Sequence, residues 1–95
     1  MYLIVRTKGF EKSFTRIKQS GKLKKQAKED LIEVINTLAR GEKLPAKYKD
    51  HKLTGELGDS RECHIKGNLL LVYQIIKSKL LLILVDIGTH SYLRL

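Results

Sequence analysis

The sequence predicts an α+β domain: an N-terminal strand, then an antiparallel helix hairpin packed on a mainly antiparallel sheet of four or so strands. Three features predict it. Apolar residues recur at helical spacing in two consecutive stretches, Phe10/Phe14/Ile17 and Leu31/Val34/Ile35/Leu38. From Ser60 onward, runs rich in Leu, Ile and Val are cut by two short polar turns. Glycine falls where each helix must stop, at Gly21 and Gly41. At 95 residues the chain makes one domain, residues 1–95, and with no Trp and six aromatic residues its core must be lean.

Tyr2 to Arg6 reads as the first strand, since Leu3, Ile4 and Val5 have high β propensity. Thr7 suits a helix N-cap, and Phe10, Phe14 and Ile17 then mark one apolar helix face. A second helix is expected from about Lys22 to Arg40, with Leu23 and Ala27 extending its apolar stripe. A short Gly-containing link between the two implies an antiparallel pair. Gly41 to Ser60 reads as a long loop carrying Pro45, with a short strand near Lys52-Leu53. Three strands follow, Ser60–Lys66, Leu69–Lys77 and Leu80–Ile87, joined by Lys66-Gly67-Asn68 and Lys77-Ser78-Lys79 as an antiparallel meander. The tail from Gly88 to Leu95 carries no assignable period.

A hydrophobic share of 42% and a charged share of 31% fit a globular protein and exclude a disordered one. The apolar stretch from Leu69 to Ile87 is interrupted by Lys77-Ser78-Lys79, so neither half reaches the roughly 20 residues of a membrane span. Met1 to Val5 is too short for a signal-peptide core. The single cysteine, Cys63, can form no internal disulfide, which fits a reducing, cytoplasmic compartment. Cys63 sits between Glu62 and His64, yet strand alternation turns it to the opposite face, so packing is favoured over a nucleophile's role.

Charge is uneven. The chain carries +9 in all, and residues 1–50 hold 13 Lys and Arg against 6 Asp and Glu. Eight basic residues and one acid fall between Lys8 and Lys28. That stripe suits nucleic acid, an acidic protein partner, or a merely solvated helix face.

The three histidines, His51, His64 and His90, all lie in the second half and outside apolar runs. Imidazole takes and gives a proton near neutral pH. Alternation in Ser60–Lys66 sets Glu62, His64 and Lys66 in one polar row on the open face, with Cys63 and Ile65 toward the core. For RNA cleavage by the 2′-hydroxyl, one group must take that proton, another must protonate the 5′ oxygen, and cations must stabilise the phosphorane. The row supplies all three roles, and His51 and His90 are placed to converge on it. The histidine spacings of 13 and 26 residues match no compact ligand motif, so no metal site and no cofactor are expected.

Leu44-Pro45, Tyr48-Lys49-Asp50-His51, Leu53, Gly55, Arg61-Glu62-Cys63-His64-Ile65, Leu69-Leu70-Leu71-Val72-Tyr73 and Gly88-Thr89-His90-Ser91 run in order. This framework resembles the YafQ-type branch of the RelE/ParE toxin superfamily. The resemblance implies a RelE-like fold and the toxin of a type II toxin–antitoxin pair. It implies an mRNA interferase that enters the ribosomal A site and cuts translated mRNA by 2′-hydroxyl attack, leaving a 2′,3′-cyclic phosphate and a 5′-hydroxyl. It places catalytic positions on His51, His64, His90 and Glu62. Its strand cation falls on Arg61, and Lys49, Lys52 and Lys66 are further candidate RNA contacts. Its partners are the ribosome, mRNA and a cognate antitoxin, a dimeric DNA-binding protein; no membrane is involved. Three positions depart from the family pattern. Asn68 replaces an Asp and cannot serve as a general base. Asp86 replaces a basic residue and would repel phosphate. Arg94 replaces a C-terminal aromatic, with Tyr92 two positions earlier; both remain candidate RNA contacts. Two rivals share the fold: a ParE-like toxin acting on gyrase, and a catalytically degenerate module that only binds antitoxin.

Overall fold

Strand β1 (Leu3–Arg6) lies at one edge of a five-stranded mixed sheet, followed by helices α1 (Lys8–Gln19) and α2 (Lys25–Ala39). The computed structural model describes residues 1–55 and 59–94. After α2 come a short 3-10 turn at Ala46–Tyr48, β2 (His51–Lys52), β3 (Arg61–Lys66), β4 (Leu69–Ile76), β5 (Leu81–Gly88) and the one-turn helix α3 (His90–Leu93). The sheet order is β1-β5-β4-β3-β2. The expected meander is β3-β4-β5; β1 joins it in parallel, with Leu3 beside Leu81. The sheet is mainly antiparallel as expected, with β1 as its one parallel edge and five strands where four or so were expected.

Thr7 caps α1 as expected, its hydroxyl accepting from the Phe10 N–H at 2.9 Å and donating to the Val85 carbonyl at 2.8 Å. Gly21 has φ +75, the left-handed conformation that ends α1 at little cost. Lys24 is extended and α2 begins at Lys25 rather than Lys22, and Leu23 packs on the core from the link. Phe10 and Ile17 of α1 meet Leu31, Val34 and Leu38 of α2 on Cys63, Ile65, Leu71, Tyr73, Leu82, Leu84 and Ile87. None of the helices is long and apolar enough to cross a membrane, among the described residues.

Two irregularities decide which side chains face where. Leu82 and Leu84 are buried under the helices, and strict alternation would send Asp86 after them. A register shift between the Val72–Asp86 and Tyr73–Leu84 pairs leaves Val85 as an extra residue. The bulge reverses the phase: Ile87 enters the core, 0% exposed, and Asp86 turns to the other face. A second shift follows His64, where Lys66 pairs with Leu69. It breaks the expected row of Glu62, His64 and Lys66: the first two stay together, and Lys66 turns toward the helix side beside Leu69.

The face away from the helices is not open at its centre. Leu70 and Val72 are 0% and 2% exposed, and Glu62 is 1% exposed. The continuous apolar run of β4 buries both faces of this central strand, as such runs do. Cys63 lies wholly in the core, where burial, with Asp50 and Glu62 adding to it, pushes its thiol up to about 12. Because the thiolate is the nucleophile, native protein at pH 8 should resist iodoacetamide at Cys63, and urea-unfolded protein should be labelled. The folded pKa is raised, so the thiol's contribution to stability is present below pH 9 and lost as pH climbs toward 12. The urea midpoint should fall across that window, and less so in Cys63→Ala.

Candidate active site

The loop before β2 aims His51. Tyr48 is 2% exposed and donates its hydroxyl to Glu33 of α2 at 3.4 Å, anchoring the 3-10 turn. Lys49 then takes a left-handed backbone, φ 49, and turns the chain toward the sheet. Asp50 is gripped from two strands: Arg61 donates through Nε at 3.3 Å and Nη2 at 3.2 Å, and the Tyr73 hydroxyl makes a short bond to Oδ1. The bond to Asp50 raises the Arg61 guanidinium further, and burial followed by the Asp50 carboxylate raises the Tyr73 phenol. With Asp50 fixed, His51 pairs with Glu62 and Lys52 with Arg61 in a two-residue ladder.

Glu62 is the centre of the site. Its Oε1 lies 3.6 Å from His51 Nε2 and 3.6 Å from His64 Nε2. The rings of His51 and His64 are 6.4 Å apart, and those of His64 and His90 are 5.8 Å apart, edge to face. His90 is the first residue of α3, held there by Thr89, whose hydroxyl accepts from the Tyr92 N–H at 3.2 Å. Three histidines distant in sequence thus line up over one buried carboxylate.

The His51 tautomer follows from its neighbours. Its Nδ1 lies 2.9 Å from the Lys49 carbonyl, which can only accept, so Nδ1 carries a proton. Nε2 of the neutral ring then turns a lone pair toward Glu62 Oε1. With a proton on Nε2 as well, the half-exposed His51 ring would face that oxygen as an ion pair.

Glu62, His64 and His90 also bring one ligand atom each within 4.8 Å of one another. Two imidazoles and a carboxylate form a donor set suited to zinc or copper. Sequence spacing gave no hint of this, because the ligands come from β3 and α3, which meet only in the fold.

The candidate cations divide. Lys49, Lys52 and Arg94 are exposed, the last in the left-handed cap of α3. Arg61 lies on the opposite face of β3 from His64 and is occupied by Asp50. Lys66 lies on the helix side of the sheet end, beside Asn68. Tyr92 turns away from the histidines: its hydroxyl bonds Ser13 at 2.9 Å, and Arg16 sits 5.1 Å over its ring. Asp86 occupies the site face, with Val72 between it and Glu62 across the strands. Asp50 and Tyr73 stand in the quoted framework but are given no site role from the sequence; the signals for them are the Asp directly before His51 and the Tyr that closes the apolar run of β4.

A family model described as bacterial toxin of type II toxin–antitoxin system, YafQ, matches residues 2–95. A metal-bound toxin from Helicobacter pylori is 44% identical, with a TM-score of 0.84 over 98% of this chain and 99% of that one. The Escherichia coli DinJ–YafQ complex matches at 26% identity and a TM-score of 0.83, covering 98% of both chains. A Haemophilus influenzae protein carrying the toxin YafQ name is 44% identical over 45 residues. That match covers 47% of this chain and under half, 44%, of the relative.

If Asp50 holds His51 in place, Asp50→Ala should cost about 1–3 kcal/mol of stability in urea, through the unpaired Tyr73 hydroxyl. It should also shift and broaden the His51 ring resonances. Sharp, unshifted His51 signals would show that β2 is positioned by something else.

Proposed function

Because the chain belongs to the YafQ family of bacterial type II toxin–antitoxin toxins, we propose that it is an mRNA interferase, a ribosome-dependent endoribonuclease that cuts translated mRNA. The observation that carries the reading is the single Glu62 oxygen set 3.6 Å from both His51 and His64. In this mechanism a neutral imidazole takes the proton of the 2′-hydroxyl. The 2′ oxygen bonds to phosphorus, the bond from phosphorus to the 5′ oxygen breaks, and an imidazolium protonates that leaving oxygen. The products are a 2′,3′-cyclic phosphate and a 5′-hydroxyl. His51 and His64 are the acid–base pair, with His90 beside them. Glu62 orients or polarises the rings, or itself acts as base. Catalysis by proton transfer of this kind contributes about 10²–10⁴-fold.

Charge on the phosphorane needs cations. Lys49, Lys52 and Arg94 are exposed and free of the Asp50 clamp that occupies Arg61, so they are the proposed RNA contacts, although Lys52 pairs with Arg61 and leaves the strand on the face away from His64. Lys66 and Tyr92 would meet only RNA that passes over the sheet end. The basic surface would bind ribosomal RNA with salt-sensitive affinity, because counterions are released. Action on ribosomes places the protein in the cytoplasm. Its protein partner is a cognate antitoxin, a reading supported by the DinJ–YafQ complex, and that antitoxin is proposed to be a dimeric DNA-binding protein.

The metal-bound Helicobacter pylori toxin supports a second role for the same side chains. Glu62, His64 and His90 would hold the ion. Bound there, a Lewis acid could polarise a phosphoryl oxygen. It would also occupy the imidazole lone pairs that proton transfer needs, so in this chain metal and nuclease activity should exclude one another.

Mapping mRNA 5′ ends in a translating extract tests the reading. New ends in the A site should appear with the wild type and fall by about 10²-fold or more with His64→Ala. Equal cleavage by both proteins would remove His64 from the mechanism. No cleavage by folded wild type would point to Asp86 and Asn68 as disabling, and gyrase would be the next target assayed. A chelator selective for zinc and copper, which leaves the ribosome's Mg²⁺ in place, should leave the cleavage rate unchanged, and added zinc should suppress it. A rate that falls with that chelator would overturn the metal-independent mechanism.

A further inference from the structure

Four residues form one row across the sheet on the face away from the helices. His51 pairs with Glu62, Glu62 with Val72, and Val72 with Asp86. The imidazoles occupy one end of the row and a second carboxylate the other. Asp86 lies two strands from Glu62, about 10 Å at the usual interstrand spacing. Val72, 2% exposed, closes the sheet between them. Asp86 is half-buried, and its carboxylate is oriented: Oδ1 accepts from the Ile87 N–H at 2.8 Å. Oδ2 makes no hydrogen bond, and neither oxygen pairs with a cation, among the described residues.

An anion held in this way has few uses beside a phosphate-cutting site. It is too far from Glu62 and the histidines to share in proton transfer at the same hydroxyl. It repels phosphate. It stands outside the donor group of Glu62, His64 and His90. What a carboxylate can do there is accept from the edge of a base. Unpaired RNA is read in that manner, by hydrogen bonds to the Watson–Crick edges of splayed bases. A carboxylate only accepts, so it demands donors. On that edge adenine and cytosine each set one donor group beside an acceptor, and uracil sets one donor between two acceptors. Guanine alone offers two adjacent donors, N1–H and N2–H, which two carboxylate oxygens meet together.

We propose that Asp86 is a specificity-determining residue that selects guanine beside the scissile phosphate. The inference rests on the nuclease reading, which sets that phosphate over Glu62 and His64. The base of an adjoining nucleotide then crosses Val72 and reaches Asp86 at the far end of the row. Oδ2 is open to it, and Oδ1 keeps a second lone pair after serving the Ile87 N–H. The same substitution that removes a cation from the site thus supplies a reader of bases.

The test has a binding arm and a cleavage arm. In the first, the full chain is titrated with the four nucleoside 3′-monophosphates and with guanosine 5′-monophosphate, followed by the His64 ring and Ile87 amide resonances. A guanosine monophosphate should bind about tenfold or more tighter than the other bases. Which of its two isomers binds better assigns the base to the 5′ or the 3′ side of the cut. Asp86→Asn keeps an acceptor for the Ile87 N–H but sets a donor beside it, so preference should move to adenine. Asp86→Ala should bind all four bases alike. A folding defect would weaken every nucleotide together and leave their ratio unmoved. Equal affinities in the wild type, no binding of any of them, or a guanine preference that survives in Asp86→Ala would overturn the proposal. In the second arm, mRNA ends from a translating extract should flank guanine with the wild type and adenine with Asp86→Asn. Ends with no guanine bias would remove the role of Asp86 and leave the nuclease reading standing. Guanine-selective binding that Asp86→Ala abolishes, without any cleavage, would sink the nuclease reading and keep Asp86 as the base reader.

Discussion

Strand β4 is apolar on both faces, and the rest of the molecule is arranged around that demand. Leu71 and Tyr73 need the helix hairpin above them, while Leu70 and Val72 need cover below. The lower cover cannot be another helix layer, because α1 and α2 are already spent on the other face. It falls to the neighbouring strand residues, with His64 beside Leu70 and Glu62 and Asp86 on either side of Val72. A carboxylate placed on β3 beside Val72 is therefore withdrawn from water, 1% exposed, without being in the main core. A charge in that position must find partners, and the imidazoles of His51 and His64 are the groups that reach it. The chemistry of the site thus begins as a packing problem of the central strand.

The same logic explains why the site needs the Asp50 clamp. A strand of two residues has too few ladder bonds to hold its own register. Arg61 and Tyr73 supply what β2 lacks, and they do so from the core side, so the clamp does not compete with the histidines for space. Arg61 was a candidate phosphate contact on grounds of charge and of the family position. Its fork is satisfied by a carboxylate behind the site, which makes it a strut for β2.

Much of this was legible in the sequence. The helix faces Phe10/Phe14/Ile17 and Leu31/Val34/Leu38 follow from a period that only one structure satisfies, and the three long strands lie within a residue or so of where their turns placed them. The convergence of His51 and His90 on His64 was expected from their places on the loop before β3 and just after the last strand. What was not legible depends on single-residue events. The bulges at Val85 and after His64 each invert the facing of everything beyond them on their strand. No residue type there announces a bulge, so Asp86 and Lys66 could not be assigned a side from alternation. The parallel pairing of β1 with β5 is a contact across nearly the whole chain, invisible to any local pattern. The grouping of Glu62, His64 and His90 as metal donors was hidden for the same reason.

Helix α3 is four residues long and serves two surfaces. His90 looks to one side of the sheet and Tyr92 to the other, with Thr89 and Gly88 holding both. Such a turn cannot drift freely. A substitution that shifts Tyr92 in its contacts with Ser13 and Arg16 also moves the His90 ring against His64, so the Gly88-Thr89-His90-Ser91-Tyr92 turn is constrained from both faces of the sheet at once.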